Sequence, residues 1–218
     1  VCTHLYGMEA MTAVRKRCGL HIPCYGVLTD YTCIPFYREA KLDAYLIPHE
    51  ALRAEMCKNG IPNARIIATG IPVSARFSRE LSKDGARDAL GLPEKQPMIL
   101  LMSGGVGCGS LSELCGELLK QPDDCRLCVL TGRNDSLRLE LEAIYSGNAR
   151  VRILPFTDRT WQYMKAADAV ISKPGGLSST EAAVARVPLV HLLAYSGCET
   201  ENAHFFSALG ASVHAKSV

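Results

Sequence analysis

Residues 169–182 read AVISKPGGLSSTEA, and this stretch decides the fold class. Its first four residues form a short apolar, β-branched run, which is typical of a buried strand. A glycine pair follows, and Ser178 to Thr180 are then candidate N-caps for a helix with Glu181 in its first turn. The stretch predicts a strand over 169–172, a glycine turn and a helix over 179–185.

The same order of strand, turn and helix recurs along the chain. Short apolar runs predict strands over 25–29, 44–47, 66–69, 98–102, 127–131, 151–154, 169–172 and 189–193. The stretches between them predict helices over 9–17, 50–59, 83–90, 111–119, 136–144, 159–166, 179–185 and 201–209. Strict alternation of this kind is typical of parallel sheets with helices on both faces, so the fold class is α/β.

The segment 70–77, GIPVSARF, marks a domain boundary. It contains two turn formers, follows a predicted strand and lacks the period of a helix or a strand. The pattern then restarts with a helix that Gly91 and Pro93 bring to an end, and with a strand that runs into a glycine-rich turn. We therefore expect one domain over residues 1–74 and a second over residues 75–218.

Composition and charge exclude several classes of protein. The 218 residues are 48% hydrophobic and 21% charged, which is typical of a globular α/β protein and not of a disordered or fibrous one. No run of about 18 uncharged apolar residues predicts a transmembrane helix. The net charge of +2 does not indicate a nucleic-acid partner. Both ends read like the surroundings of a strand, so we expect the chain to be part of a longer protein.

The ten cysteines form no regular disulfide or zinc pattern. Cys125 and Cys128 make the single Cys-x-x-Cys motif, and no second pair or histidine pair accompanies it, which disfavours zinc. The start of the chain does not resemble a signal peptide. We therefore expect reduced thiols in a cytoplasmic protein.

A first glycine-rich turn, SGGVGCGS at 103–110, follows a predicted strand and opens a helix. Glycines such as Gly104 and Gly105 let the backbone approach an anion, and a helix N-terminus offers N–H donors to phosphate. Such turns also exist only to pack a helix on a strand, so both interpretations stay open. The turn lacks the Lys-Ser or Lys-Thr pair of a P-loop. Thr131-Gly132-Arg133 stands where a dinucleotide site would have an acidic residue.

The turn within 172–182 is more informative. It supplies a second helix N-terminus, and two such N-termini in one half of the molecule indicate a diphosphate between them. A carboxylate at Glu181 can accept hydrogen bonds from two vicinal hydroxyls, as ribose sites do. The alternative is that Glu181 only complements the helix dipole.

A third turn, AYSGCETENA at 194–203, follows the next predicted strand. It is expected beside the second turn at the carboxyl edge of the sheet, where open α/β folds bind ligands. Glu199 would offer an acceptor, and Asn202 a donor, to a sugar. The alternative is an exposed polar helix start.

These motifs resemble a family of glycosyltransferases. SKPGGLSSTEA at 172–182, followed by GCETEN at 197–202, is similar to the donor-site signature of the monogalactosyldiacylglycerol synthase and processive diacylglycerol glucosyltransferase family, within glycosyltransferase family 28. TDYT at 29–32, DAYLIP at 43–48 and TGIPV at 69–73 resemble the family's acceptor-domain landmarks in order and spacing. The resemblance spans nearly the whole chain.

The resemblance implies the GT-B fold, in which two Rossmann-like domains with parallel sheets face each other across a cleft, with the N-terminal domain truncated here. It implies a UDP-hexose donor held without metal or other cofactor, with the backbone near Phe156 against uracil and Glu181 on the ribose. The residues implied to contact the nucleotide are Gly104, Gly105, Phe156, Gly175, Gly176, Leu177 and Glu181. Glu199 and Asn202 are implied to contact the hexose.

The resemblance also implies the reaction. It is an inverting transfer of glucose or galactose to diacylglycerol or glycosyl-diacylglycerol, by a protein bound peripherally to the inner face of a membrane. The family's catalytic base lies in an N-terminal region that this chain lacks, so His4 and Asp30 are weak candidates. The family has a Gln-Glu pair where this chain has Cys198-Glu199, so the chain lacks the glutamine of that pair.

Two other functions stay open. A UDP-sugar epimerase with the same two domains would release UDP and an epimerised sugar without any lipid. A non-catalytic module would bind UDP and turn nothing over.

Overall fold

The chain consists of two α/β units. A computed structural model describes residues 1–102, 111–121, 124–194 and 197–215, and contacts divide it into Val1–Val73 and Ser74–Val218. The division falls one residue before the boundary expected from the sequence. The functional roles expected of the two domains stay predictions.

Residues 1–73, all of which the structure describes, form a three-stranded parallel sheet in the order β1-β2-β3. Its elements are α1 (Leu5–Cys18), β1 (Tyr25–Val27), β2 (Ala44–Ile47), α2 (Arg53–Lys58) and β3 (Ile66–Ala68), with 3-10 turns at Pro35–Arg38, Glu50–Leu52 and Asn63–Arg65. Cys2 makes an isolated parallel bridge to Gly26 of β1. A Cβ at Gly26 would lie 2.7 Å from the side chain of Leu42 and 3.0 Å from that of Met8, so a glycine is needed for α1 to pack this closely.

The described part of Ser74–Val218 forms a second, six-stranded parallel sheet. Its strands are β4 (Met98–Met102), β5 (Arg126–Gly132), β6 (Val151–Pro155), β7 (Ala169–Ser172), β8 (Leu189–His191) and β9 (Val213–His214). Its helices are α3 (Lys83–Leu90), α4 (Leu111–Lys120), α5 (Asp135–Tyr145), α6 (Thr160–Ala166), α7 (Gly176–Ala185) and α8 (Cys198–Ala208).

The strand order of the second sheet is β6-β5-β4-β7-β8-β9, and it indicates where such a sheet would bind a ligand. The chain starts in the centre at β4, runs outward to β6, and returns to β7 on the other side of β4. The strand order therefore reverses between β4 and β7, where doubly wound sheets bind ligands beyond the carboxyl ends of the strands. Met102 ends β4 and pairs with Ser172, which ends β7.

Alternate residues of the central strands face two hydrophobic cores. Leu100 and Val170 belong to one core, whereas their neighbours Leu101 and Ile171 belong to the other. Successive side chains of a strand point to opposite faces, so a sheet covered by helices on both faces needs apolar residues at every position. This requirement explains the continuous apolar runs from which the strands were predicted.

The amino edge of the second sheet is held by an ion-pair cluster around Asp168. Its carboxylate accepts a hydrogen bond from the Met98 backbone N–H at 2.8 Å and pairs with Arg87 at 2.7 Å and Lys83 at 2.6 Å. Arg87 is 4% exposed and also donates to the Ala166 carbonyl at 3.0 Å. The cluster ties α3 to β4 and to the start of β7.

Several predicted boundaries were wrong by a few residues. The helix predicted over 9–17 begins at Leu5, because His4 caps it through Nδ1, which accepts from the Tyr6 N–H at 3.3 Å. The helix predicted over 50–59 divides into a 3-10 turn and α2. The predicted end of α3 was right, since Gly91 caps it in the left-handed conformation with φ 61°.

Candidate functional site

The second glycine turn joins β7 to α7 at the point where the strand order reverses. The helix predicted over 179–185 is present and ends at Ala185 as expected, but its predicted start was wrong, because α7 begins at Gly176 with Gly175 as an extended N-cap and no side-chain cap. The hydroxyls expected to cap the helix bond elsewhere: Thr180 donates to the Gly176 carbonyl at 2.7 Å, and the Ser179 Oγ lies 2.8 Å from His191 Nε2. The backbone N–H groups of the first turn therefore lie at Gly176 and Leu177, and Glu181 lies in the second turn and not in the first.

The first glycine turn, with Gly104 and Gly105, lies outside the described residues. Its flanks are described: β4 ends at Met102 and α4 begins at Leu111. Because β4 and β7 are parallel neighbours, their last residues, Met102 and Ser172, lie at the same edge of the sheet. The contacts of Gly104 and Gly105 with phosphate stay a prediction.

Glu181 lines a cavity of 270 Å³ at this edge. The other residues around the cavity are Ser74, Arg76, Phe77, Met102, Asp158, Thr160 and Trp161. Burial raises the pKa of the Glu181 carboxyl above its ordinary value. Within the part of the chain that the structure describes, no hydrogen bond or ion pair reaches this carboxylate, which leaves both oxygens able to accept from a ligand.

Phe156 follows β6 and is 62% exposed. Arg133, which follows the adjacent strand β5, places its guanidinium carbon 5.1 Å from the centroid of the Phe156 ring. Together the two side chains form a flat, charged surface at the carboxyl edge. The family resemblance implies a uracil contact near Phe156, and it stays a prediction. No role was assigned to Arg133, although a basic residue directly after a strand that ends in glycine was the available signal.

The third turn is tied to the second. Glu199 lies in the first turn of α8 and pairs with Lys173 of the second turn at 2.5 Å. Asn202 is fully buried, and its Nδ2 donates to the Pro174 carbonyl at 3.0 Å. The helix predicted over 201–209 begins earlier, at Cys198, because Gly197 ends the loop with φ 74°. The structure therefore brings Glu199 and Asn202 to the second glycine turn, while their contacts with a hexose stay a prediction.

His191, at the end of β8, anchors α7 from inside the protein. The ring is fully buried, with Nε2 2.8 Å from the Ser179 Oγ and Nδ1 3.1 Å from the Ser212 Oγ. Burial, and then the charge of His214, lower the pKa of His191 to about 4. His191 is therefore neutral at physiological pH. No role was predicted for His191 from the sequence, because an isolated histidine in an apolar strand has no distinguishing pattern.

The two weak candidates for a catalytic base lie in the first unit. His4 is exposed at the N-terminus of α1, with its ring centroid 5.0 Å from that of Tyr6. Asp30 is half-buried and follows β1. A catalytic role for either residue stays a prediction.

The nine cysteines among the described residues are free thiols, and burial raises the pKa of Cys128 to about 11, so this thiol is neutral and unreactive. The described residues contain no cluster of three metal-ligating side chains. None of the described helices has the length and apolar character needed to cross a membrane.

Both units match known protein families. Residues 1–73 match the family described as Monogalactosyldiacylglycerol (MGDG) synthase, and residues 98–216 match the Glycosyltransferase family 28 C-terminal domain. The chain is 28% identical over 215 residues to the processive diacylglycerol beta-glucosyltransferase of Bacillus thuringiensis (strain Al Hakam), which covers 98% of this chain and 55% of that relative. The chain thus spans about half the length of the curated relatives it matches. The resemblance drawn from the motifs is confirmed.

Solved structures show the same fold at low sequence identity. The crystal structure of Acinetobacter baumannii MurG aligns with a TM-score of 0.62 and 19% identity, over 97% of this chain and 63% of that protein. A UDP-GlcNAc 2-epimerase from Neisseria meningitidis bound to UDP-GlcNAc aligns with a TM-score of 0.58 and 14% identity, over 96% of this chain and 68% of that one. The predicted GT-B fold class is confirmed, and the fold by itself is shared by transferases and epimerases.

Proposed function

This chain belongs to glycosyltransferase family 28, and from that premise we propose that it binds a UDP-hexose and takes part in transferring the hexose to diacylglycerol or a glycosyl-diacylglycerol. The observation that carries the proposal is the Glu181 cavity. It holds a half-buried carboxylate with no partner among the described residues, beside the N-terminus of α7 at the reversal point of the sheet. A buried acceptor without a protein partner is costly unless a ligand supplies donors.

Glu181 is proposed to accept hydrogen bonds from the two ribose hydroxyls of UDP. Each hydroxyl donates one hydrogen bond, and a carboxylate has two oxygens that can accept them. Because the pKa of Glu181 is raised by burial, its charged form gains more from such donors than an exposed carboxylate would. The surface formed by Phe156 and Arg133, after strands of the same sheet, suits the flat uracil ring.

The diphosphate is proposed to lie at the N-terminus of α7, against the backbone N–H groups of Gly176 and Leu177. These groups belong to the first helical turn, and no side chain caps them. The positive end of the helix dipole would stabilise the charge that grows on UDP as the bond to the sugar breaks. The glycine turn with Gly104 and Gly105 would approach the diphosphate from the adjacent strand.

The proposed reaction is a single inverting displacement. An acceptor hydroxyl forms a bond to the anomeric carbon from one face while the bond to the UDP oxygen breaks on the other. A base takes the hydroxyl proton, and UDP leaves with the electron pair. Helix N-termini and N–H donors would carry out the electrostatic work on the diphosphate, so no metal is proposed.

The hexose is proposed to contact Glu199 and Asn202. Glu199 is paired with Lys173, which orients the carboxylate at the start of α8. Asn202 holds the Pro174 carbonyl through Nδ2, which places the residue at the second glycine turn. The acceptor is proposed from the curated relatives, whose name specifies diacylglycerol. The family's lipid-side unit would correspond to residues 1–73.

Calorimetry of UDP binding tests the donor site first. The chain should bind UDP without added magnesium, and EDTA should not weaken the binding. A strict requirement for a divalent cation would contradict the proposed diphosphate site.

A transfer assay tests the reaction. Labelled UDP-glucose or UDP-galactose is incubated with diacylglycerol, and the label is followed into the organic phase. Organic-soluble label supports the transferase, whereas an epimerised sugar and free UDP without labelled lipid would identify an epimerase. Binding without either product would identify a non-catalytic module.

A further inference from the structure

A second cavity in Ser74–Val218 is lined mainly by cations and hydroxyls. It has a volume of 610 Å³ and lies between the segment 78–82 and the helices α6 and α7. Its polar lining consists of Ser78, Arg79, Glu80, Ser82, Lys165 and Arg186. Three positive charges therefore face the cavity against one negative charge. We call this cavity the cationic groove.

The three cations of the cationic groove have no anionic partner in the described residues. No ion pair or side-chain hydrogen bond is formed by Arg79, Lys165 or Arg186 within that part of the chain. The contrast with Lys83 is direct, since that residue lies four positions from Arg79 and pairs with Asp168 at 2.6 Å. Like charges that converge without a counterion repel one another, so an anion in the groove would relieve the repulsion.

Arg186 also has an unusual backbone. It caps the C-terminus of α7 with φ 59° and ψ 40°, and it is the one described non-glycine residue with positive φ. The equivalent caps of α1 and α3 are Gly19 and Gly91. A side chain in this conformation costs about 1 kcal/mol that a glycine would not. The strained position is occupied by an arginine whose side chain lines the groove.

Helix ends of both polarities lie near the groove: the C-termini of α6 and α7, and the N-terminus of α3. The C-termini of α6 and α7 attract the nearby cations Lys165 and Arg186 through their dipoles. That attraction does not account for Arg79, which lies on no helix. Nor does it account for Ser82, which caps the N-terminus of the eight-residue helix α3 and brings its positive end to the groove.

We propose that the cationic groove binds a phosphate group, as a free phosphate or as the phosphodiester of a lipid headgroup, at a site separate from the Glu181 cavity. Arg79, Lys165 and Arg186 would pair with the phosphate oxygens. The Ser82 hydroxyl, whose oxygen accepts from the Gly85 N–H at 3.1 Å, would donate its proton to them. Phosphate suits three converging cations and a hydroxyl donor better than a carboxylate does, because it presents more acceptor oxygens.

Trp161 connects this site to the Glu181 cavity. The Arg79 guanidinium carbon lies 5.8 Å from the centroid of the Trp161 ring, and Trp161 also lines the Glu181 cavity. Lys165 is one helical turn from Trp161 on α6, on the same face. A phosphate that draws Arg79 into the groove therefore changes the contacts of a residue in the wall of the other cavity.

The fluorescence of Trp161 provides the test, because it is the one tryptophan of the chain. The chain is titrated with inorganic phosphate at constant ionic strength against chloride, with saturating UDP present. A saturable change in emission is expected. In a second arm, vesicles of phosphatidylcholine with phosphatidylglycerol are compared with vesicles of phosphatidylcholine alone. A response to both inorganic phosphate and anionic vesicles identifies a lipid headgroup site, and a response to inorganic phosphate alone identifies a soluble phosphate site.

Variants separate the groove from the rest of the surface. Arg186→Gly removes the cation and suits the left-handed backbone, so it should keep the fold, and Lys165→Gln removes a second charge. Each should weaken the phosphate response about tenfold or more, whereas Lys16→Gln, at an exposed position of α1, should not. The proposal is overturned if no saturable response occurs, if the groove variants respond like the parent, or if UDP abolishes the response by occupying the same site.

Discussion

Acidification should destabilise Ser74–Val218 through a single buried residue, His191. The ring is fully buried between two serine hydroxyls, and burial lowers its pKa from 6.5 to about 4. In the unfolded chain the same imidazole binds a proton below about 6.5, its ordinary pKa. Between these two values the unfolded state holds one more proton than the folded state, so the free energy of unfolding falls as the pH falls.

The size of the effect follows from the difference between the two pKa values. The interval from 6.5 to about 4, at about 1.4 kcal/mol for each pH unit, corresponds to about 3 kcal/mol. The loss should begin near pH 6.5, continue to about pH 4 and then stop, because below that pH the folded state is protonated as well. Such a loss is a large fraction of the 5–15 kcal/mol that typically stabilises a domain.

Urea unfolding followed by Trp161 fluorescence measures this effect, because the one tryptophan lies in the same unit as His191. The control is His191→Gln, which keeps a hydrogen-bonding side chain but does not titrate. Carboxylates titrate equally in both proteins, so the difference between the two stability curves isolates the histidine. Equal pH slopes for the parent and the variant would refute the argument. An NMR titration of the His191 ring in the folded protein with a midpoint near 6.5 would refute it independently.

Three further predictions concern the donor site and the fold. Glu181→Gln should weaken UDP binding in calorimetry by roughly 1.5–3 kcal/mol, while the thermal midpoint stays equal or rises because a costly buried charge is removed; a lower midpoint with unchanged UDP affinity would make Glu181 a structural residue. Glu199→Ala should bind UDP like the parent but lower the turnover of UDP-hexose, since UDP lacks the sugar, and a matching loss of UDP affinity would place Glu199 on the nucleotide. Arg87→Met should lower the free energy of unfolding in urea by about 1–3 kcal/mol. Lys83→Met, which removes an exposed partner of the same carboxylate, should lower it by less than about 1 kcal/mol. Equal losses would contradict the inference that the buried Arg87 contributes most of the stability of the Asp168 cluster.

The alternation of strands and helices was readable because it is a local property of the sequence. Apolar runs such as Met98–Met102 are continuous since both faces of the sheet are covered, and Gly91 ends α3 where a left-handed residue is needed. The start of α7 was predicted wrongly because the local sequence there is ambiguous. Gly175 and Gly176 resemble a turn, but Gly175 only serves as an extended N-cap and the helix continues through the serines.

The contacts between turns could not be read in the same way. Lys173 with Glu199, and Arg133 with Phe156, lie on different βα turns that become neighbours only through the order of the strands. That order is set by packing over the whole unit and leaves no local pattern. The role of Glu181 as a ribose contact was proposed from its motif, whereas its lack of a partner among the described residues became visible only in three dimensions.

The link between Asn202 and Pro174 has a consequence for how quickly a donor could be captured. The buried amide of α8 holds the carbonyl of the turn that precedes α7, and the Lys173 to Glu199 pair adds a second tie between the same two segments. A turn that is joined to a helix in this way moves with the helix, so it is not expected to open alone on the microsecond scale of separate loop motions. Rapid mixing of the chain with UDP should accordingly show a single association phase, and Asn202→Leu, which cuts the buried tie, should introduce a second, slower one.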